Sequence, residues 1–165
     1  MRVIVNAGHT KLGVGTGAIG ILTESVETRK IAYELMKQLA DTSYEVIPAV
    51  FDKSNNNLKA AVNLANENSA DLFISIHLNA GGGHGVEAYT WKGKQSKRAL
   101  NICKNLSKLG YTNRGVKDGS GLYVIKNTKC EAILIETCFV DNTSDVELYK
   151  RLGYDKIAKA IKESL

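Results

Sequence analysis

Three short apolar runs in this 165-residue chain end on side chains that can bind a metal or move a proton. Val3-Ile4-Val5 leads through Asn6-Ala7-Gly8 to His9, Leu72 to Ile76 runs directly into His77, and Ala132 to Ile135 runs directly into Glu136. A further carboxylate, Glu24, follows the glycine-rich stretch Gly13 to Gly20 at the expected start of a helix. Two neutral imidazoles and one carboxylate occupy three positions of a tetrahedral zinc ion and leave the fourth to water, the arrangement of a catalytic site rather than a closed structural one. A carboxylate that stays off the metal is the base such a water needs. The chemistry these residue types could do together is metal-assisted hydrolysis.

Taken singly, a His or Glu at a strand end is more often a solvated or hydrogen-bonded residue than a ligand. Only three histidines are present, however, and two of them fall at strand ends on what should be one edge. The third, His84, sits in Gly81-Gly82-Gly83-His84-Gly85 and reads as an exposed loop residue. Glu27 competes with Glu24 for the metal, because residues three apart lie on neighbouring parts of a helix surface. Thr23 could also cap that helix, with Glu24 and Glu27 simply favouring the positive end of its dipole. Gly15-Thr-Gly17-Ala-Ile-Gly20 satisfies the G-x-G-x-x-G pattern of dinucleotide sites. That motif should follow its strand immediately, whereas here His9 and its neighbours intervene and Glu24 would bring negative charge towards the phosphates. Nucleotide binding therefore ranks below hydrolysis.

The elements that must position these residues read as an open α/β sheet. The three runs are continuous rather than alternating in hydrophobicity, as expected of parallel strands covered on both faces. Val46 to Phe51, Val86 to Trp91 and Leu122 to Ile125 are further expected strands. Helical spacing links Ile31, Leu35 and Leu39, then Leu58, Ala61, Val62 and Ala65, then Ala99, Ile102, Cys103 and Leu106. A last helical segment carries Val146, Tyr149, Leu152, Ile157 and Ile161. Strands alternating with helices predict a single α/β domain over 1–165, an open, mostly parallel twisted sheet with helices on both faces. Ligands of such sheets bind beyond the carboxyl ends of the strands, which gathers His9, His77, Glu136 and the helix start at Glu24 on one rim. The glycine-rich stretches Gly13 to Gly20, Gly81 to Gly85 and Gly115 to Gly121 read as loops.

Composition bounds the rest. A hydrophobic fraction of 44% and a single proline exclude disorder and repetitive fibrous classes. The net charge of +5 suits an anionic partner, but Lys and Arg are scattered along the chain rather than massed in one block, so a solvated surface is the simpler reading. Cys103, Cys130 and Cys138 are odd in number and form no C-x-x-C pair, so neither a disulfide framework nor a cysteine zinc site is expected. The apolar segment after Met1-Arg2 is too short for a secretory signal or a membrane span. The expectation is a chain that stays in the cytoplasm after synthesis, with no stable membrane insertion and no nucleic-acid partner, and a monomer.

Four segments carry a family resemblance: Asn-Ala-Gly-His9, the glycine loop ending in Glu24, Ser75-Ile-His77-Leu-Asn79-Ala80, and Leu134-Ile-Glu136-Thr-Cys-Phe139-Val-Asp-Asn142. In this order, over nearly the whole chain, they resemble the zinc-dependent N-acetylmuramoyl-L-alanine amidases. The resemblance implies that His9, Glu24 and His77 ligate Zn²⁺, which selects Glu24 over Glu27, and that Glu136 is the catalytic acid/base. It implies cleavage of the amide between N-acetylmuramic acid and the L-alanine of the stem peptide in cell-wall peptidoglycan. The family usually has glycine where this chain has Cys138, and often asparagine where it has Thr28; neither is among the implied ligands. A zinc peptidase acting on stem peptides and a catalytically silent wall-binding module are the competing readings. The sequence looks like catalytic domains of phage endolysins of clostridial hosts and of bacterial autolysins, which usually carry a separate wall-binding domain. A C-terminal domain missing from this chain is therefore expected, as is release to the wall by another route than a signal peptide.

Overall fold

The computed structural model describes residues 1–165. Its strands are β1 (Arg2–Ala7), β2 (Glu45–Ala49), β3 (Leu72–Asn79), β4 (Val86–Thr90), β5 (Asn113–Asp118) and β6 (Glu131–Phe139), forming one sheet in the order β2-β1-β3-β6-β4-β5. The four strands β2, β1, β3 and β6 are mutually parallel; β4 runs antiparallel to β6, and β5 parallel to β4. The three continuous apolar runs are thus the adjacent interior strands β1, β3 and β6, and β3 is buried over all of Leu72 to Leu78.

Helices α1 (Glu24–Ala40), α3 (Lys97–Lys108) and α5 (Thr143–Lys162) cover one face, and α2 (Asn57–Glu67) and α4 (Tyr123–Asn127) the other. On the first face Ile31, Leu35, Leu39, Ile102, Leu106, Ile157 and Ile161 pack with Val3, Val5, Ile74, Ile76, Ile133 and Ile135. On the second, Ala61, Val62, Ala65, Val124 and Ile125 pack with Ile4, Phe73, Ala132 and Leu134. Each strand therefore divides its residues between the two layers with the expected period of two.

That alternation locates the site. Continuing along the second face past the apolar residues gives Asn6 on β1, Ser75 and His77 on β3, and Glu136 on β6. The face turns polar towards the carboxyl ends of the strands, beyond the apolar stretch that packs with α2 and α4.

Two expectations are corrected. Leu122 to Ile125 is not a strand: Leu122 closes a turn onto the Gly119 carbonyl, Lys126 N–H bonds back to Leu122, and Val124 and Ile125 are buried from α4. A run of four apolar residues is compatible with either structure, and here the turn decides. Nor is Gly115 to Gly121 wholly loop, because Gly115 lies inside β5. This edge strand has no fully buried residue, so it carries no apolar run by which to recognise it. In addition, the final helical segment is broken at Gly153, whose φ of 76° is a left-handed conformation suited to glycine.

Candidate metal centre

His9, Glu24 and His77 converge as the rim argument requires, each offering one ligand atom with all three atoms within 4.8 Å of one another. Glu24 Oε1 lies 3.1 Å from His9 Nε2 and 3.1 Å from His77 Nδ1. A tetrahedral ion about 2.0–2.1 Å from each ligand would hold ligand atoms roughly 3.3 Å apart. The two separations from Glu24 are close to that value, and the two histidine atoms lie within 4.8 Å of each other, near enough to share a divalent cation.

The outer hydrogen bonds give the same answer. Asn6 Nδ2 donates to the Ala49 and Ala7 carbonyls, which turns Asn6 Oδ1 towards Ser75 Oγ, its donor at 2.7 Å. With its proton committed, Ser75 Oγ can only accept from His77 Nε2, 3.1 Å away, so His77 carries its proton on Nε2 and presents the Nδ1 lone pair to Glu24. His9 Nδ1 faces the Gly15 carbonyl at 3.0 Å, a pure acceptor, which leaves the Nε2 lone pair facing the same Glu24 oxygen. Two lone pairs and a carboxylate aimed at one point require a cation or a proton between them. Outer partners that fix imidazole tautomers in this way are usual around metal ligands.

Protonation preferences reflect this convergence. Burial opposes charge on Glu24, but hydrogen bonds with His77 and His9 outweigh it and hold the carboxyl well below the usual range. Burial likewise disfavours charge on His9, yet Glu24 wins and raises its pKa. For the buried His77 the loss of hydration prevails, and its pKa is lowered.

Local structure explains how these side chains are held. Glu24 is anchored by Ala18 N–H on Oε2 and Leu78 N–H on Oε1. Its carboxylate thereby occupies the mouth of α1, where a dinucleotide phosphate would have to lie, which removes the nucleotide reading of the glycine loop. Thr23 stands at the N-cap position but makes no side-chain cap bond. Glu27 points elsewhere, to Lys30 and to the Tyr149 hydroxyl. His9 adopts a left-handed φ of 67°, and the Arg29 guanidinium binds its carbonyl along with those of Ser25 and Phe51. Thr28 Oγ1 donates to the Gly8 carbonyl. Two glycines leave room for the ligands: a Cβ on Gly8 would fall on the His77 ring, and one on Gly17 would lie 2.7 Å from Glu24 Oε2 and 2.8 Å from the His9 ring.

Glu136 lies beside the cluster, opposite His77 in the β3–β6 register and opposite Glu87 in the β4–β6 register. Its Oε2 is buried without a hydrogen-bond partner. Burial first, then Glu24 and Glu87, pushes its pKa up to about 8 in the protein alone. A nearby dication would pull it back down. Such a carboxyl is poised to change protonation near neutrality, as an acid/base group must.

Of the residues expected from the sequence, the fold brings His9, Glu24 and His77 together and sets Glu136 on the adjoining strand, while His84 lies apart in an exposed loop. Asn6, Ser75 and the Glu87–Arg114 pair, whose Nε–Oε2 distance is 2.7 Å, surround these residues without having been singled out by the sequence. Asn6 and Ser75 lie within the segments quoted for the resemblance, and Ser75, two residues before His77 on a strand, necessarily shares its face. Glu87 had no comparable signal. Cys103, Cys130 and Cys138 are all free thiols.

The family profile described as N-acetylmuramoyl-L-alanine amidase matches residues 3–165. An uncharacterised Clostridium perfringens protein is 37% identical over all of this chain and 51% of its own length. The N-acetylmuramoyl-L-alanine amidase LytC of Bacillus subtilis is 34% identical over 96% of this chain and 34% of its own. Among solved structures, the catalytic domain of the CD27L endolysin targeting Clostridia difficile superposes with a TM-score of 0.90 at 31% identity, covering 99% of this chain and 96% of that one. The chain spans about half the length of the first curated relatives it matches.

Proposed function

Since the chain belongs to the N-acetylmuramoyl-L-alanine amidase family, we propose that it is a zinc-dependent hydrolase of the amide bond joining N-acetylmuramic acid to the L-alanine of peptidoglycan stem peptides. The observation that carries this reading is the convergence of the His9 Nε2 and His77 Nδ1 lone pairs on Glu24 Oε1, with Glu136 on the adjoining strand.

His9, Glu24 and His77 would hold the zinc ion. When bound, zinc acidifies a water molecule and polarises the scissile carbonyl. Glu136 takes the proton of the attacking water and returns it to the departing L-alanine amine. Its buried setting suits both halves of that task, since a carboxyl held near neutrality by burial and brought down by a dication exchanges protons without a large penalty in either direction. Asn6 and Ser75 hold His77 in its productive tautomer, and the Gly15 carbonyl does the same for His9. The substrate is the wall polymer, and the relatives include both a phage endolysin and bacterial amidases, so a lytic or an autolytic role fits the chemistry.

Digestion of purified Gram-positive wall, with and without a zinc chelator, tests this directly. New N-terminal L-alanine without new reducing sugar ends, abolished by the chelator, is expected. Another new amino terminus would make the enzyme a stem-peptide peptidase, and no release from several wall types would leave a binding module.

A further inference from the structure

Beyond Glu136 the sheet continues into two strands that the hydrolytic chemistry leaves unused. Because β4 runs antiparallel to β6 and β5 runs parallel to β4, the first residues of both lie at the rim where the parallel strands end. Glu87 on β4 is buried and stands opposite Glu136 in register. Its Oε1 accepts from Asn79 Nδ2 at 2.9 Å and from the Tyr89 hydroxyl at 2.8 Å, and its Oε2 accepts from Arg114 Nε at 2.7 Å. A buried carboxylate facing the proposed acid/base is a costly neighbour, since it opposes negative charge on Glu136. What it accomplishes is to hold one guanidinium in place.

The β5 strand is shaped to the same end. Between the pairs Val86–Asn113 and Ala88–Val116, two residues, Arg114 and Gly115, stand opposite the single Glu87. Gly115 takes a left-handed φ of 78°, and its N–H donates to Asn113 Oδ1 at 2.9 Å. A bulge of this kind re-aims a side chain. Here Arg114 turns onto Glu87 while Val116 keeps its place against the apolar core. The guanidinium carbon lies 5.1 Å from the centre of the Phe139 ring at the end of β6.

So pinned, Arg114 commits only Nε within the chain: neither terminal amino group has a protein acceptor, and the side chain is 36% exposed. A planar fork held by a carboxylate and an aromatic ring, with its amino groups free, is pre-organised to bind a second carboxylate. Arg114 stands two strands beyond Glu136, about 10 Å by backbone, and its side chain reaches back to Glu87, one strand away. An extended peptide leaving the scissile bond rises about 3.3 Å per residue, which brings the carboxylate of its second residue into that range. On the sugar side the lactyl carboxyl is consumed in the scissile amide, so the carboxylates of the substrate are on its peptide side.

We propose that Arg114 binds a carboxylate of the departing stem peptide, so that the peptide lies over β6, β4 and β5. The proposal rests on the amidase reading for its substrate. The probes are N-acetylmuramoyl-L-alanyl-D-glutamate and its diamide, which lacks both peptide carboxylates. Their binding to zinc-loaded Glu136→Gln protein, measured by calorimetry, is read without turnover. The diamide is expected to bind at least tenfold more weakly than the acid. In Glu136→Gln/Arg114→Gln, at unchanged zinc content, the acid is expected to fall to the level of the diamide, with no further loss for the diamide. An arginine that only braced the β4–β5 edge would weaken both compounds alike and leave their ratio intact. Equal binding of the two compounds, a ratio that survives removal of Arg114, or no binding of either overturns the proposal. Hydrolysis of the acid by the unaltered protein is followed in parallel. Acid-selective binding without release of L-alanyl-D-glutamate would contradict the amidase reading and support the carboxylate site.

Discussion

Glu136 stands directly across from His77 in the parallel register of β3 and β6. Neighbouring strands lie about 4.8 Å apart, and residues in register project to the same face. The sheet itself therefore sets the separation between the proposed acid/base and a proposed metal ligand. A site built on strands holds its geometry better than one assembled from loops.

Replacing Glu136 with Gln separates chemistry from metal binding. The amide keeps the shape of the side chain but cannot take a proton. The variant is expected to retain zinc after dialysis, measured by elemental analysis, while turnover falls roughly 10²- to 10⁴-fold. Turnover like that of the unaltered protein would remove Glu136 from the mechanism.

The same carboxyl should leave a signature before any substrate is added. Its pKa is raised to about 8 from an ordinary 4.5, so in the metal-free protein at pH 7 it is mostly protonated. A folded-state pKa above the unfolded one contributes stability below about pH 4.5 that is lost as pH rises through about 8. An infrared band of a protonated carboxyl is expected at pH 7, absent in Glu136→Gln and lost when zinc is added. A band indifferent to the substitution would show that the proton sits elsewhere.

Protons and metal should compete for His9. Glu24 raises the pKa of His9 above 6.5, so a proton on His9 must be displaced for a cation to enter. His77, with its pKa lowered, adds its own competition only at more acidic pH. Zinc affinity, measured against a competing chelator, is expected to be constant at alkaline pH and to fall about tenfold per pH unit once His9 is protonated. A flat affinity from pH 8 to pH 5 would show that His9 is not a ligand.

Ser75→Ala tests the outer hydrogen-bond chain. With the Ser75 hydroxyl gone, His77 Nε2–H loses its acceptor and the tautomer is no longer fixed. Zinc affinity is expected to drop about 10- to 100-fold, the usual effect of removing such a partner. Retention of full affinity would mean that packing alone orients the ring.

Glycine substitutions offer a steric counterpart. Gly17→Ala places a methyl group 2.7 Å from Glu24 and 2.8 Å from His9, whereas Gly13→Ala, also at positive φ, meets nothing within 4 Å. Both should lose some stability from the strained backbone, on the order of 1 kcal/mol. Only Gly17→Ala should lose zinc as well, and equal zinc content in the two variants would contradict the packing described.

Much of this was legible because the strongest signals were local. His9, His77 and Glu136 each close an apolar run, and an open sheet brings such ends to one rim. Glu24 could be placed at the helix start, but its choice over Glu27 came from the resemblance, and the geometry that turns Glu27 towards Tyr149 is tertiary. The β5 strand and the α4 helix depart from the sequence pattern for opposite reasons: β5 has no buried run to announce it, and Leu122 to Ile125 is too short to show a period.

X-ray diffraction from zinc-soaked crystals, with anomalous data collected at the zinc edge, tests the metal centre most directly. One strong peak is expected about 2.0–2.2 Å from His9 Nε2, His77 Nδ1 and a Glu24 carboxylate oxygen, absent from crystals of His77→Ala. A peak held by other residues, or no peak between these three at saturating zinc, would contradict the assignment of the site.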